Sequence, residues 1–201
     1  VADRSVVPAQ RRFLVLHGYT NRRPEGHWQR RLTSELRDSG EQVVYPALPD
    51  PDDPRLEDWL EVLDTELALL GDPARVERVV IGHSLGAVLW LHACARGLGA
   101  PVDRVLLVAP PGAAELAESI PRFVLPASLD AAAVASAARS TLLVCSDADP
   151  WCAGGQVAAY AEPLGLRSVV IPGAAHLALG DGFGPWPEVV AWARDPASTW
   201  A

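Results

Sequence analysis

Short apolar runs recur along the chain, and amphipathic stretches separate them. Phe13–His17 (FLVLH) is the first such run; it predicts a buried strand that opens into a loop at His17-Gly18. Trp28, Leu32 and Leu36 then fall at helical spacing. Gln42–Tyr45 predicts a second strand, closed by the proline-rich loop Pro46–Pro54. Leu56, Trp59, Leu60, Leu63, Leu67 and Leu70 mark one face of a helix that Gly71-Asp72-Pro73 stops. Further strands are predicted at Arg78–Ile81, Arg104–Ala109, Thr141–Cys145 and Arg167–Ile171. Helices are predicted over Leu85–Arg96, near Leu129–Ala138 within the long connection 110–139, over Gln156–Leu164, and from Pro187 to Ala193.

Strand and helix therefore alternate from start to finish. The strands are continuous Val/Leu/Ile runs without a polar face, which suits strands buried on both sides of a parallel sheet. The predicted architecture is one α/β domain spanning 1–201, with a mostly parallel six-stranded sheet and helices on both faces. With 49% hydrophobic residues, a chain of this length can fill one sizeable core. Ligands of such sheets sit beyond the carboxyl ends of the strands, so functional residues are expected just after them.

Composition narrows the partners. All 17 basic residues are arginine, and the formal net charge is −8, which argues against nucleic acid. Cys94, Cys145 and Cys152 form no CxxC pair, so neither a zinc site nor a disulfide framework is expected. Val1–Arg12 lacks the apolar core of a signal peptide. No apolar run approaches the roughly 18 residues that span a bilayer. The expectation is a cytoplasmic protein without membrane contact, metal or cofactor.

Gly82-His83-Ser84-Leu85-Gly86 is a G-x-S-x-G sequence with a predicted strand before it and a helix after it. That context is the nucleophile elbow of α/β-hydrolases. A sharp strand-to-helix turn lifts the Ser84 hydroxyl above the sheet, and side chains at positions 82 and 86 would collide with neighbouring chain. A Walker lysine is absent, which argues against a phosphate loop.

A serine nucleophile needs a base, and in this fold an acid and then a histidine follow it in the chain. Only His92 and His176 follow Ser84. His92 lies inside the predicted helix, whereas His176 lies in the small-residue loop after the sixth strand. Asp147 and Asp149 both follow the fifth strand; Asp149 is preferred as the acid and Asp147 is the alternative. The oxyanion donors expected are the backbone N–H groups of Leu85 and of Tyr19, in the loop after the first strand. His17 is expected to be a buried loop anchor.

With these residues in place the chain resembles the small serine hydrolases grouped with retinoblastoma-binding protein 9 and its bacterial relatives. The shared features are His17-Gly18, Gly26-His27-Trp28, Asp58-Trp59, the Gly82–Gly86 elbow, Asp149-Pro150, Gly173–His176 and Gly182-Phe183-Gly184-Pro185-Trp186-Pro187. The resemblance implies a core without a large cap domain, a Ser84–His176–Asp149 triad, and esterase-like activity without a cofactor. The retinoblastoma-binding motif is not carried over, since its nearest echo, Leu143-x-Cys145-x-Asp147, falls largely in a predicted buried strand.

The expected reaction is hydrolysis of a small-molecule carboxylic ester through an acyl-enzyme. Thioester hydrolysis, lactone chemistry and acyl transfer use the same triad, and a non-catalytic binding protein on a hydrolase fold is the alternative of another class. Candidate substrate contacts are Arg22 in the first loop, Phe123 and Leu125 in the 110–139 connection, and Trp151 beside the acid.

Overall fold

The computed structural model describes residues 10–195, 197, 198 and 200. Residues 1–9, most of the Val1–Arg12 segment expected to lack a signal peptide, lie outside them. Six strands form one sheet: β1 (Gln10–Leu16), β2 (Gln42–Val44), β3 (Val76–His83), β4 (Val102–Val108), β5 (Ala138–Ser146) and β6 (Arg167–Ile171). Their order is β2-β1-β3-β4-β5-β6. Every neighbouring pair is parallel, so the sheet is wholly rather than mostly parallel.

Both sheet faces are covered, which explains the strands' unbroken apolar composition. Successive residues serve opposite cores. Leu14 and Leu16 pack with α2 (Leu56–Leu69), α3 (Leu85–Arg96), α5 (Ala131–Ala137) and the segment 157–164. Phe13 and Val15 pack with α1 (Trp28–Asp38) and α7 (Pro187–Arg194). The period of two is present in space but hidden in the sequence, because both faces need hydrophobes. Helix α3 is buried over Leu85–Cys94, because it is pressed on the sheet and has α2 and α5 as neighbours. Its near-continuous apolar sequence reflects that position.

The 110–139 connection holds more structure than predicted. A short α4 (Ala113–Ser119) and a 3-10 turn (Pro121–Phe123) precede α5. With one buried leucine, Leu116, α4 offers no helical periodicity to read. The predicted helix 156–164 is a π-helical stretch, Val157–Ala161, that runs into the single turn α6 (Glu162–Leu164).

The chain leaves β1 for the edge strand β2 and then returns across β1 to β3. Loops after β1 and β3 therefore diverge at the carboxyl edge, the switch point where such sheets open a crevice. Among the described residues no cap domain covers it; α4 and the turn after it form its only flap.

Candidate active site

Strand β3 delivers Ser84 directly into α3. Ser84 adopts φ 54 and ψ −124, a left-handed conformation costly for a residue with a side chain. Its N–H donates to the Val108 carbonyl at 2.8 Å, which holds the turn against β4. The flanking glycines are required by contact. A Cβ on Gly86 would lie 2.4 Å from the Leu16 carbonyl oxygen, and one on Gly82 would lie 2.8 Å from the Ala87 nitrogen. Backbone atoms cannot rotate away from such contacts, so the turn closes only with glycine.

The folded chain brings Ser84, His176 and Asp149 together. Nε2 of His176 lies 2.9 Å from Ser84 Oγ. Nδ1 of His176 lies 2.9 Å from Asp149 Oδ2 and 3.0 Å from Oδ1. An ionised carboxylate only accepts, so Nδ1 carries the proton and Nε2 accepts from the serine hydroxyl. The Asp149 side chain is fully buried and takes two more donors, the Trp151 N–H at 2.9 Å and the Gln156 amide at 2.6 Å. Asp147 is placed elsewhere: its carboxylate accepts the Gly173 N–H at 2.7 Å and ties the loop after β5 to the loop bearing His176.

Ser84 opens onto a cavity of about 310 Å³. Its apolar wall includes Leu85, Pro111, Leu116, Ile120, Trp151 and Leu179. Tyr19 and Leu85 both line it beside Ser84. Leu85 is the first residue of α3, so its N–H has no intrahelical carbonyl to bond. The loop carrying Tyr19 is fixed by the Thr20 N–H on the Pro51 carbonyl and the Asn21 N–H on the Gly18 carbonyl.

Three expected substrate contacts do not line the cavity. Phe123 is fully buried, edge-on to Trp59 and beside His92, because the flap needs its own anchor in the core. Leu125 packs against the same core. Arg22 turns outward to pair with Asp52, both largely in solvent. Trp151 does line the cavity, 6.2 Å from the His176 ring. His17 is a loop anchor, with Nε2 accepting the Leu48 N–H and Nδ1–H donating to the Gly18 carbonyl.

The site holds other residues whose contacts the sequence does not reveal. Gln156 donates to Asp149 from a helix start, and Asp181 accepts the His176 N–H at 3.2 Å. His27 caps α1, accepting the Gln29 N–H, and burial lowers its pKa to about 4. Burial likewise holds His83 well below the ordinary histidine value. Burial pushes the Cys152 thiol, in the loop bearing the acid, up to about 11, so it stays protonated at neutral pH. Among the described residues no group of three or more His, Cys, Asp or Glu is placed to hold a metal ion, and no helix is long and apolar enough to cross a membrane.

A doubly covered parallel sheet with the G-x-S-x-G turn after β3, and Asp149 and His176 in the loops after β5 and β6, has the architecture of an α/β-hydrolase. The chain belongs to the serine hydrolase family, whose description matches residues 13–194, and it is a serine hydrolase. The fold is shared with solved structures. The ydeN gene product of B. subtilis superposes with a TM-score of 0.74 at 22% identity, over 90% of this chain and 95% of that one. A YdeN-like hydrolase from Pectobacterium atrosepticum gives 0.69 at 24% identity, over 92% and 90%. The esterase domain of a Rhodothermus marinus protein gives 0.63 at 18% identity, over 94% and 89%. A search of curated proteins found no match.

Proposed function

We propose that the chain hydrolyses carboxylic esters of small, mainly apolar acyl groups through an acyl-enzyme on Ser84. The observation that carries this is the continuous hydrogen-bonded line from Ser84 Oγ through the His176 ring to Asp149, ending at a mainly apolar cavity. His176 Nε2 takes the hydroxyl proton as Oγ attacks the ester carbonyl. The tetrahedral oxyanion is held by the N–H groups of Tyr19 and Leu85. Collapse breaks the bond to the alcohol oxygen, which leaves with the proton from His176. Water then gives a proton to His176 and attacks the acyl-enzyme; the second collapse frees the acid and returns the proton to Ser84. Asp149 keeps the productive tautomer and stabilises the imidazolium between transfers.

The cavity has room for a short or flexible acyl chain and little beyond it. Est1E from Butyrivibrio proteoclasticus, which shares the fold at 14% identity and a TM-score of 0.62, has been solved with ferulic acid bound, so feruloyl esters belong in a substrate panel beside acetyl and butyryl esters. The deciding experiment is fluorophosphonate labelling with peptide mapping. Label is expected on Ser84 and absent from Ser84→Ala; an intact protein that fails to react, or a variant that still labels, overturns the proposal.

A further inference from the structure

The loop that bears His176 is held from beneath by two buried ring donors. His83 Nε2–H donates to the carbonyl of His176 itself at 3.0 Å. Trp28 Nε1–H donates to the carbonyl of the next residue, Leu177, also at 3.0 Å. The backbone they hold is unusual. Ala175 (φ 48) and Leu177 (φ 54) flank His176 in the left-handed region, where residues with side chains rarely rest. Such backbone persists only where its surroundings over-determine it.

His83 is well placed for this task. It is the last residue of β3, adjacent to Ser84 in the chain. Its ring is packed among Trp28, His27 and His176, at centroid distances of 5.6, 5.3 and 5.2 Å. Because a carbonyl only accepts, Nε2 must carry the proton. Nδ1 is then a buried acceptor, and it has no partner among the described residues. A half-satisfied buried imidazole is a poor choice for stability alone and calls for a separate reason.

We infer that His83 and Trp28 are positioning residues, which fix the peptides on either side of the His176 side chain and so set the distance from its Nε2 to Ser84 Oγ. This rests on the reading of His176 as the base. Ser84 is then joined to the backbone of His176 through one peptide, one rigid ring and one hydrogen bond. His83 borders the cavity at Ser84 and Trp28 does not, so an unchanged KM separates positioning from substrate contact.

Variants at position 83 test this by reach. The Gln amide nitrogen stands as many bonds from Cβ as His Nε2, and the Asn amide nitrogen as many as Nδ1. His83→Gln keeps a donor where the carbonyl needs it, whereas His83→Asn places it short. With p-nitrophenyl butyrate, His83→Asn is expected to lose about a hundredfold in kcat with KM changed less than about twofold, because a misplacement on the order of 1 Å costs that much. His83→Gln is expected to recover at least about tenfold of the loss. Trp28→Phe, which removes the N–H and keeps an aromatic ring, is expected to lower kcat in the same way without raising KM. In a His176→Ala background both substitutions should leave the residual rate unchanged, since they act through His176. Equal losses in the Gln and Asn variants, a Trp28→Phe enzyme at full kcat, or the same loss repeated without His176 each overturn the inference. Wild-type protein without Ser84-dependent turnover would instead overturn the reading of the site, and the inference with it.

Discussion

Acid should destabilise this fold through buried histidines, and His27 gives the cleanest measure. Its pKa is lowered from 6.5 to about 4, first by burial and then by the neighbouring charges of His17 and His176. Above pH 6.5 the residue is neutral in both the folded and the unfolded chain, so it adds no pH dependence. Between 6.5 and about 4 the unfolded chain binds a proton that the folded chain refuses, so stability falls as pH falls. Below about 4 both states are protonated and the slope ends. With these two values the loss at pH 5 is about 2 kcal/mol. His17, His83 and His92 are lowered in the same direction and steepen the same limb. Its own share is isolated by His27→Asn, whose side-chain oxygen can replace Nδ1 as acceptor for the Gln29 N–H and so keep the cap on α1. Lost ring packing lowers stability equally at every pH and leaves the slope untouched. Thermal or urea unfolding at fixed ionic strength from pH 7.5 to 5 should show the variant losing less than the wild type by about 2 kcal/mol, or ~4 to 8 °C for a chain of this size. Parallel curves for the two proteins would refute this reasoning.

The other expectations concern the site and its scaffold. Asp149→Asn should cut kcat by about 10⁴, as the loss of the tautomer-holding carboxylate does in triads, while Asp147→Asn retains an oxygen for the Gly173 N–H and should cost less than about tenfold; the reverse pattern in ester turnover would move the acid to Asp147. Gly86→Ala should destabilise by about 3 kcal/mol or more, because its Cβ falls on the backbone oxygens of Leu16 and His17, while Gly154→Ala, with open space around it, should stay within about 0.5 kcal/mol in chemical denaturation. Arg22→Ala should leave kcat/KM within about threefold, since its exposed ion pair with Asp52 contributes at most about 1 kcal/mol and lies off the cavity; a larger loss would return Arg22 to the substrate.

What the sequence makes legible here follows from how local each constraint is. A strand buried on both faces must be apolar throughout, so Phe13–His17 and Arg104–Ala109 announce themselves, and chain order singles out an acid and a histidine for Ser84. Choosing between Asp147 and Asp149 is harder, because both follow β5 within three residues and differ only in which way the loop turns. The folded chain turns Asp149 inward, onto His176 and Gln156, and Asp147 outward, onto Gly173. Flap hydrophobes are ambiguous for a related reason. An apolar side chain above a crevice and one anchoring the flap have the same composition, and Phe123 proves to be an anchor while Ile120 and Leu116 face the cavity.

Contacts that join distant positions leave no local trace at all. His83 meets the His176 carbonyl across 93 residues, and Trp28 meets Leu177 across 149. Both side chains stand inside patterns with sufficient local explanations, one as the variable position of the elbow and the other as the opening of α1. Nothing in either pattern hints at a second duty. That duty follows from topology: α1 leaves the carboxyl end of β1, β3 lies beside β1 in the sheet, and so the start of α1 and the end of β3 both meet the loop that carries His176. Asp147 and Asp181 hold N–H groups of the same loop, at Gly173 and His176, and the two ring donors hold its carbonyls. The end of β3 and the start of the first helix, far apart in the chain, therefore act together on the alignment of His176.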